Sequence, residues 1–208
     1  MNITILGTGN VGRALGAGWS GRGHALTFGS REPAGEKAQA AVAACAGRAR
    51  ASFPAAAVAE AEVVVLAVPW TAAQSVVAAA GAGLAGKVLV DATNPIAPGL
   101  QLALGHTTSG AEQVAGWAPG ARVVKAFNTT GAENMRDPVY HGRGTLMPIC
   151  GDDTAAKARV RELAEALGFE VVDAGGLAAA RLLEPLALLW ISLARQHGRD
   201  IAFQLVRR

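Results

Sequence analysis

The sequence predicts an α/β protein built on a doubly wound, mainly parallel sheet with a C-terminal helical extension. Three observations carry this. Short apolar runs alternate with helical patterns through most of the chain, which is how β-α-β units read. A glycine-rich turn follows the first run directly and opens the first helical pattern. Of 208 residues, 51% are hydrophobic and 17% charged, the opposite of a disordered chain's balance, so a sizeable core is expected.

Taken in order, Ile3-Thr4-Ile5-Leu6 makes 2–6 a strand, and a helix is expected over 10–20. A second strand over 25–28 is followed by a helix over 33–46, with 50–52 a weaker strand candidate. Residues 63–86 carry no charge and are long enough on paper to span a bilayer. Pro69-Trp70-Thr71 interrupts that run and glycines 81, 83 and 86 break its tail. It reads instead as a buried strand, 63–68, and a short helix, 71–80. A strand over 87–91 leads into a long charge-free loop, 92–108. Ser109-Gly110-Ala111-Glu112 fits a capping box and starts a helix over 109–117. Strands over 122–127 and 145–150 follow. Asp152-Asp153 offers an N-cap and a carboxylate at the positive end of a helix over 152–167, so those aspartates need no metal. A strand over 169–173 and a helix over 176–197 complete the chain. The apolar stretch 182–194 contains Glu184-Pro185 and is too short to cross a membrane, so no span is expected. No linker or repeat divides the sequence: one domain, 1–208, is expected, with 174–208 its C-terminal helical segment.

Composition also narrows the function. Cys45 and Cys150 stand far apart, with neither a C-x-x-C nor a histidine pair nearby. No disulfide framework or metal site is expected, and this usage suits a reducing cytoplasm. The net charge is +3, but the arginines are scattered from Arg13 to Arg208 without a stripe or interleaved aromatics, so nucleic acid is not an expected partner. Met1-Asn2 runs straight into the apolar strand, and no signal peptide is read.

Gly7, Thr8, Gly9, Asn10, Val11 and Gly12 form a G-x-G-x-x-G placed after a strand and opening a helix. The first glycine makes the tight turn, the second admits a pyrophosphate, and the third lets helix and strand pack closely. A dinucleotide-binding, Rossmann-type sheet follows. A site for NAD puts Asp or Glu at the end of the second strand, whereas here the chain reads Phe28-Gly29-Ser30-Arg31. Ser30 and Arg31 suit a 2′-phosphate, and Lys37 can add a point charge. The expected cofactor is NADP(H).

The second substrate is read partly from missing chemistry. Alcohol or carbonyl substrates need a residue that exchanges a proton with oxygen. Tyr140 has Gly144 four residues on rather than lysine, and His24, His106, His141 and His197 have no paired carboxylate in sequence. No catalytic side chain is therefore assigned. A flavin-like acceptor avoids the difficulty, because its ring stabilises its own charge and the protein need only stack it on the nicotinamide. The residues placed for this are Val68, Pro69 and Trp70, Asn94 after Asp91, and Asn128 to Thr130 after Lys125. All are expected at strand carboxyl ends.

Gly7 to Gly12, Gly29-Ser30-Arg31, Val68-Pro69-Trp70, Val124-Lys125-Ala126-Phe127-Asn128-Thr129, Gly151-Asp152-Asp153, Asp173-Ala174-Gly175 and Ala178 to Pro185 together carry a resemblance. The chain resembles the NADPH-dependent reductase family for coenzyme F-420, an 8-hydroxy-5-deazaflavin, and the related cytoplasmic domain of six-transmembrane ferric reductases. The resemblance implies hydride exchange between NADPH and a deazaflavin. It places Ser30, Arg31 and Lys37 on the 2′-phosphate and Thr8 to Val11 around the pyrophosphate. It also implies a homodimer, with the apolar face of the C-terminal helix as the interface. Thr93-Asn94-Pro95 and Asn128 stand where the deazaflavin reductases carry an apolar, proline-rich loop and a histidine. There the chain is more similar to the ferric-reductase branch, which uses a flavin, so FMN or FAD joins the deazaflavin as a small-molecule acceptor. The competing reading is an NADP(H)-binding sensor or partner-binding module without turnover.

Overall fold

Runs such as Val63-Val64-Val65-Leu66 are apolar at every position because the sheet they build is covered on both faces. The computed structural model describes residues 1–208. Its first half runs β1 (Asn2–Leu6), α1 (Asn10–Ser20), β2 (Ala25–Gly29), α2 (Glu36–Ala43), β3 (Ala49–Ser52), α3 (Pro54–Ala59), β4 (Val63–Leu66), α4 (Trp70–Ala80) and β5 (Val88–Asp91). A small hairpin, β6 (Ile96–Ala97) and β7 (Gln101–Leu102), precedes α5 (Gly110–Trp117), β8 (Arg122–Lys125) and α6 (Ala132–Arg136). A second hairpin, β9 (Val139–Tyr140) and β10 (Arg143–Gly144), leads to β11 (Leu146–Gly151), α7 (Thr154–Leu167), β12 (Glu170–Asp173) and α8 (Ala180–His197).

Eight strands form one sheet in the order β12-β11-β8-β5-β4-β1-β2-β3. The six from β3 to β8 are parallel, and β11 joins β8 antiparallel. The segment between β8 and β11 holds only the five-residue α6 and a hairpin, too little helix for a parallel return. Side chains alternate between two cores. Ile3, Ile5, Val63 and Val65 meet Leu15, Trp19 and Leu163 on one face. Leu6, Val64 and Leu66 meet Val77, Val114 and Leu183 on the other. Trp19 is fully buried; its indole donates to the Leu163 carbonyl at 3.0 Å and its ring meets Phe127 edge-on at 5.6 Å, tying α1 to α7 and to the loop after β8.

Several boundaries move. The helix expected over 33–46 shrinks to α2, because Gly35 donates to the Glu32 carbonyl in a turn and the chain turns left-handed at Ala46 and Gly47. The strand expected over 122–127 ends at Lys125, before Phe127 adopts φ +60°. Helices α3 and α6 and both hairpins were not anticipated. The sequence signal for α3 was Pro54, which occupies its first turn, where a missing N–H is harmless. The segment 174–208 is helical through His197 only; residues 198–208 fold back, with Ile201 accepting from Asn134 and Trp190. The helical stretch Leu177–His197 spans 21 residues, long and apolar enough on length and composition alone to cross a membrane. That exceeds the stretch 182–194 expected to be too short. Its Leu183, Glu184, Ala187, Trp190 and Ala194 are buried against the rest of the chain.

Candidate functional site

Register places the candidate residues along one edge. Gly29, Leu6, Leu66, Asp91 and Lys125 are successive cross-strand partners through β2, β1, β4, β5 and β8. The loops leaving those strands therefore emerge side by side, at the carboxyl ends where open parallel sheets bind ligands. β1 lies between β4 and β2, so the winding reverses at its end and leaves a crevice. A cavity of about 340 Å³ opens at the amino-terminal halves of β1 and β2, the opposite end, and is lined there by Arg48, Arg50 and Glu60.

The glycine loop divides its labour. A Cβ on Gly7, whose φ is +129°, would lie 2.2 Å from the Ala67 carbonyl oxygen, and one on Gly12 would lie 2.3 Å from the Gly7 oxygen. Those two glycines let backbone pack on backbone. Gly9 differs: a Cβ there meets nothing within 4 Å. It caps α1 with no side-chain hydrogen bond, and the first turn carries no acidic residue, so no cap or carboxylate of that turn takes up its orphan N–H groups. Thr8 and Val11 are half-buried and Asn10 exposed, its side chain accepting from Arg13 at 2.9 Å. Arg13 was missed in sequence. A cation in the first turns of a helix opposes the dipole unless an anion sits there, and that was the available signal.

Beyond β2, the Ser30 hydroxyl accepts from the Glu32 N–H at 3.1 Å, while Arg31 and Lys37 are exposed and make no ion pair. Glu32 does not neutralise Arg31. On the other side of β1, Val68 packs against Gly7 and Pro69 caps α4. Trp70 turns to α5, stacking on Trp117 at 5.3 Å and packing beside Gly110.

Asn94 and Asn128 join the loops after β5 and β8. Asn94 donates to the Asn128 carbonyl at 2.9 Å, and the Asn128 amide donates to Asn94 Oδ1 at 3.0 Å and to the Leu183 carbonyl at 3.2 Å. Asn128 is 4% exposed. Thr130 Oγ1 accepts from Asn134, which in turn accepts from the Tyr140 hydroxyl. Beneath them Lys125 is wholly buried, its ammonium 2.8 Å from Asp91 Oδ2, 2.8 Å from Glu184 Oε1 and 2.7 Å from the Thr93 carbonyl. Burial opposes its charge, but the two carboxylates outweigh burial and hold its pKa above the ordinary lysine value. Burial pushes the Cys150 thiol up to about 12, leaving it inert.

A bare helix N-terminus at the winding reversal, with unpaired cations at the next strand end, is the arrangement of a dinucleotide-binding, Rossmann-class protein. The chain belongs to the coenzyme F420-dependent NADP oxidoreductases, whose family model matches residues 2–95. It is 33% identical to the F420-dependent NADP reductase of Methanothermobacter marburgensis, over 93% of this chain and 92% of that one. It is 37% identical to rat Metalloreductase STEAP3 over 90% of this chain, and spans 37% of that protein's length. A candidate F420-dependent NADP reductase from Arthrobacter sp. FB24 superposes with a TM-score of 0.90 at 33% identity, covering 99% of each chain. The chain is thus an NADP(H)-dependent oxidoreductase.

Proposed function

We propose that this protein transfers a hydride between NADPH and a tricyclic acceptor, a deazaflavin or a flavin, in the cytoplasm. The observation that carries the reading is the pairing of two chemistries along one sheet edge. At one end stand a bare helix N-terminus and unpaired Arg31; at the other stand neutral amides, with the one nearby lysine fully occupied. Bound NADPH supplies the hydride. The N–H groups of α1 hold its pyrophosphate, Ser30, Arg31 and Lys37 hold the 2′-phosphate, and Val68, Pro69, Asn94, Asn128 and Thr130 surround the reacting rings. Nothing there needs to move a proton onto oxygen, which suits a ring acceptor. Anaerobic NADPH oxidation with 8-hydroxy-5-deazaflavin, FMN and FAD, with NADH as control, tests this. Turnover with NADPH preferred is expected. Tight NADPH binding without turnover on any of the three would overturn it in favour of a sensor module.

Replacing Arg31 with alanine removes a charge-assisted contact of roughly 1.5 to 3 kcal/mol. NADPH is then expected to bind about ten- to a hundred-fold more weakly, with NADH nearly unchanged; equal losses for both, measured by calorimetry, would refute the 2′-phosphate contact.

The protein is further proposed to pair with a second copy through α8. Leu182 and Leu189 are 70% and 50% exposed, and Leu186 and Leu193 complete an apolar stripe at helical spacing without an intervening charge. A two-fold axis lays such a stripe on itself. Light scattering should give a dimer for the native chain and a monomer for the Leu182→Glu, Leu189→Glu double variant; a monomeric native chain removes the proposal.

A further inference from the structure

The geometry points to Lys125, held between Asp91 and Glu184, as a positioning residue that docks the C-terminal helix onto the sheet edge and thereby sets the Asn94–Asn128 amide pair at the ring end of the site. This rests on the function proposed above. The Lys125 ammonium donates to Asp91 Oδ2 and to the Thr93 carbonyl, and pairs with Glu184 Oε1 at 2.8 Å. Asp91 Oδ1 also accepts from the Thr93 N–H at 2.9 Å and its hydroxyl at 2.7 Å. Glu184 also accepts from the N–H groups of Gly110 and Ala111, at 2.9 and 3.1 Å, where the positive end of α5 offsets the second carboxylate.

One ammonium thus fixes β5, the loop after it, β8, the start of α5 and α8. The residues of the amide pair are attached to these same anchors: Asn94 follows Thr93, Asn128 is three residues beyond Lys125, and the carbonyl that accepts from Asn128 belongs to Leu183, beside Glu184. Between Lys125 and Asn128, Phe127 is held at φ +60°, an unusual conformation for a bulky residue, with its ring buried and its N–H on Met147 Sδ at 3.2 Å. A strained loop persists only where its surroundings over-determine it, and here both sides are anchored. Buried ion clusters are poor devices for stability, since apolar replacements are often as good. What this one supplies is a defined depth for α8 and a defined orientation for Asn128, at a strand end three strands along the sheet from β1 and its phosphate-binding loop.

Glu184→Gln, which keeps shape and loses charge, is the test. Adenosine 2′,5′-bisphosphate, which lacks the nicotinamide, should bind within twofold of the native value. NADPH should weaken at least fivefold, and kcat/KM for the ring acceptor should fall at least tenfold. Asn128→Ala should show the same profile, and the double variant should lose little more than either single one, because both act through one amide. Should Glu184→Gln fail to fold, Asp91→Asn carries the same expectation while leaving the Glu184 contacts in place. Multiplicative losses in the double variant, or an unchanged ratio of NADPH to bisphosphate affinity in a folded but less heat-stable variant, would show a purely structural role and overturn the proposal. If the native protein turns over no tricyclic acceptor, the functional reading fails alone; the affinity ratio still decides the network.

Discussion

Gly9→Val is expected to abolish binding of NADPH and NADH alike while leaving the protein folded. The conformation at Gly9, φ −76° and ψ −171°, is extended backbone that valine adopts without strain. The space a Cβ would enter is open, and the loss of a good N-cap residue costs on the order of 1 kcal/mol. A branched side chain there occupies the approach of a pyrophosphate to the α1 N–H groups, which both nucleotides share. Calorimetric titration should show losses of about a hundred-fold or more for each, a change of roughly 2.7 kcal/mol, beside an unchanged circular dichroism spectrum. Retained binding within a few-fold would reduce the loop to a turn. Gly7→Ala and Gly12→Ala are poor substitutes for this experiment, because their Cβ atoms would strike backbone oxygens at 2.2 and 2.3 Å and disturb the fold itself.

Lys125→Met should be strongly destabilising. It leaves the Asp91 and Glu184 carboxylates buried without their shared cation, and removing one partner of a buried ion pair costs about 3 to 5 kcal/mol. For a chain of this size the melting temperature is expected to fall by roughly 6 to 20 °C. The pH dependence has a definite sign. The folded-state pKa of Lys125 lies above the ordinary lysine value, because Asp91 and Glu184 outweigh burial, so its stabilising contribution is complete below that value and is lost only as pH rises through the folded one. The Lys125 contribution to the native melting temperature should therefore be constant through neutral pH and fall away only in strong alkali. A variant within 1 kcal/mol of the native protein would mean that the cluster relaxes or admits water.

How much could be read in advance differs from element to element. The strand over 2–6, the helix over 10–20 and the helix starts at Ser109 and Asp153 were legible because each rests on neighbours in sequence. Ser109 does accept from the Glu112 N–H, and Asp153 from that of Ala156. Asp152 was half legible: adjacent to that cap, it reaches 25 residues on to accept from Leu177 and open the final helical segment. The place of Arg31, exposed just beyond the end of β2, was legible from its distance beyond the glycine loop. Trp70 lay at the expected loop, but its ring is committed to Trp117, a partner 47 residues away that no local pattern indicates.

The sequence by itself determined the alternating architecture, the glycine loop and the absence of a carboxylate at the end of β2, on which the proposed 2′-phosphate contact rests, because periodicity, turn chemistry and the residue at one strand end act over a few positions. Only the tertiary structure decided that Lys125, Asp91 and Glu184 share one buried site, that Asn94 and Asn128 clasp each other, and that β11 returns antiparallel. Those contacts join residues 34 to 59 positions apart, or depend on which strands come to lie side by side. Their energies come from desolvation and from hydrogen bonds across the sheet edge, which exist only once the chain has closed around them.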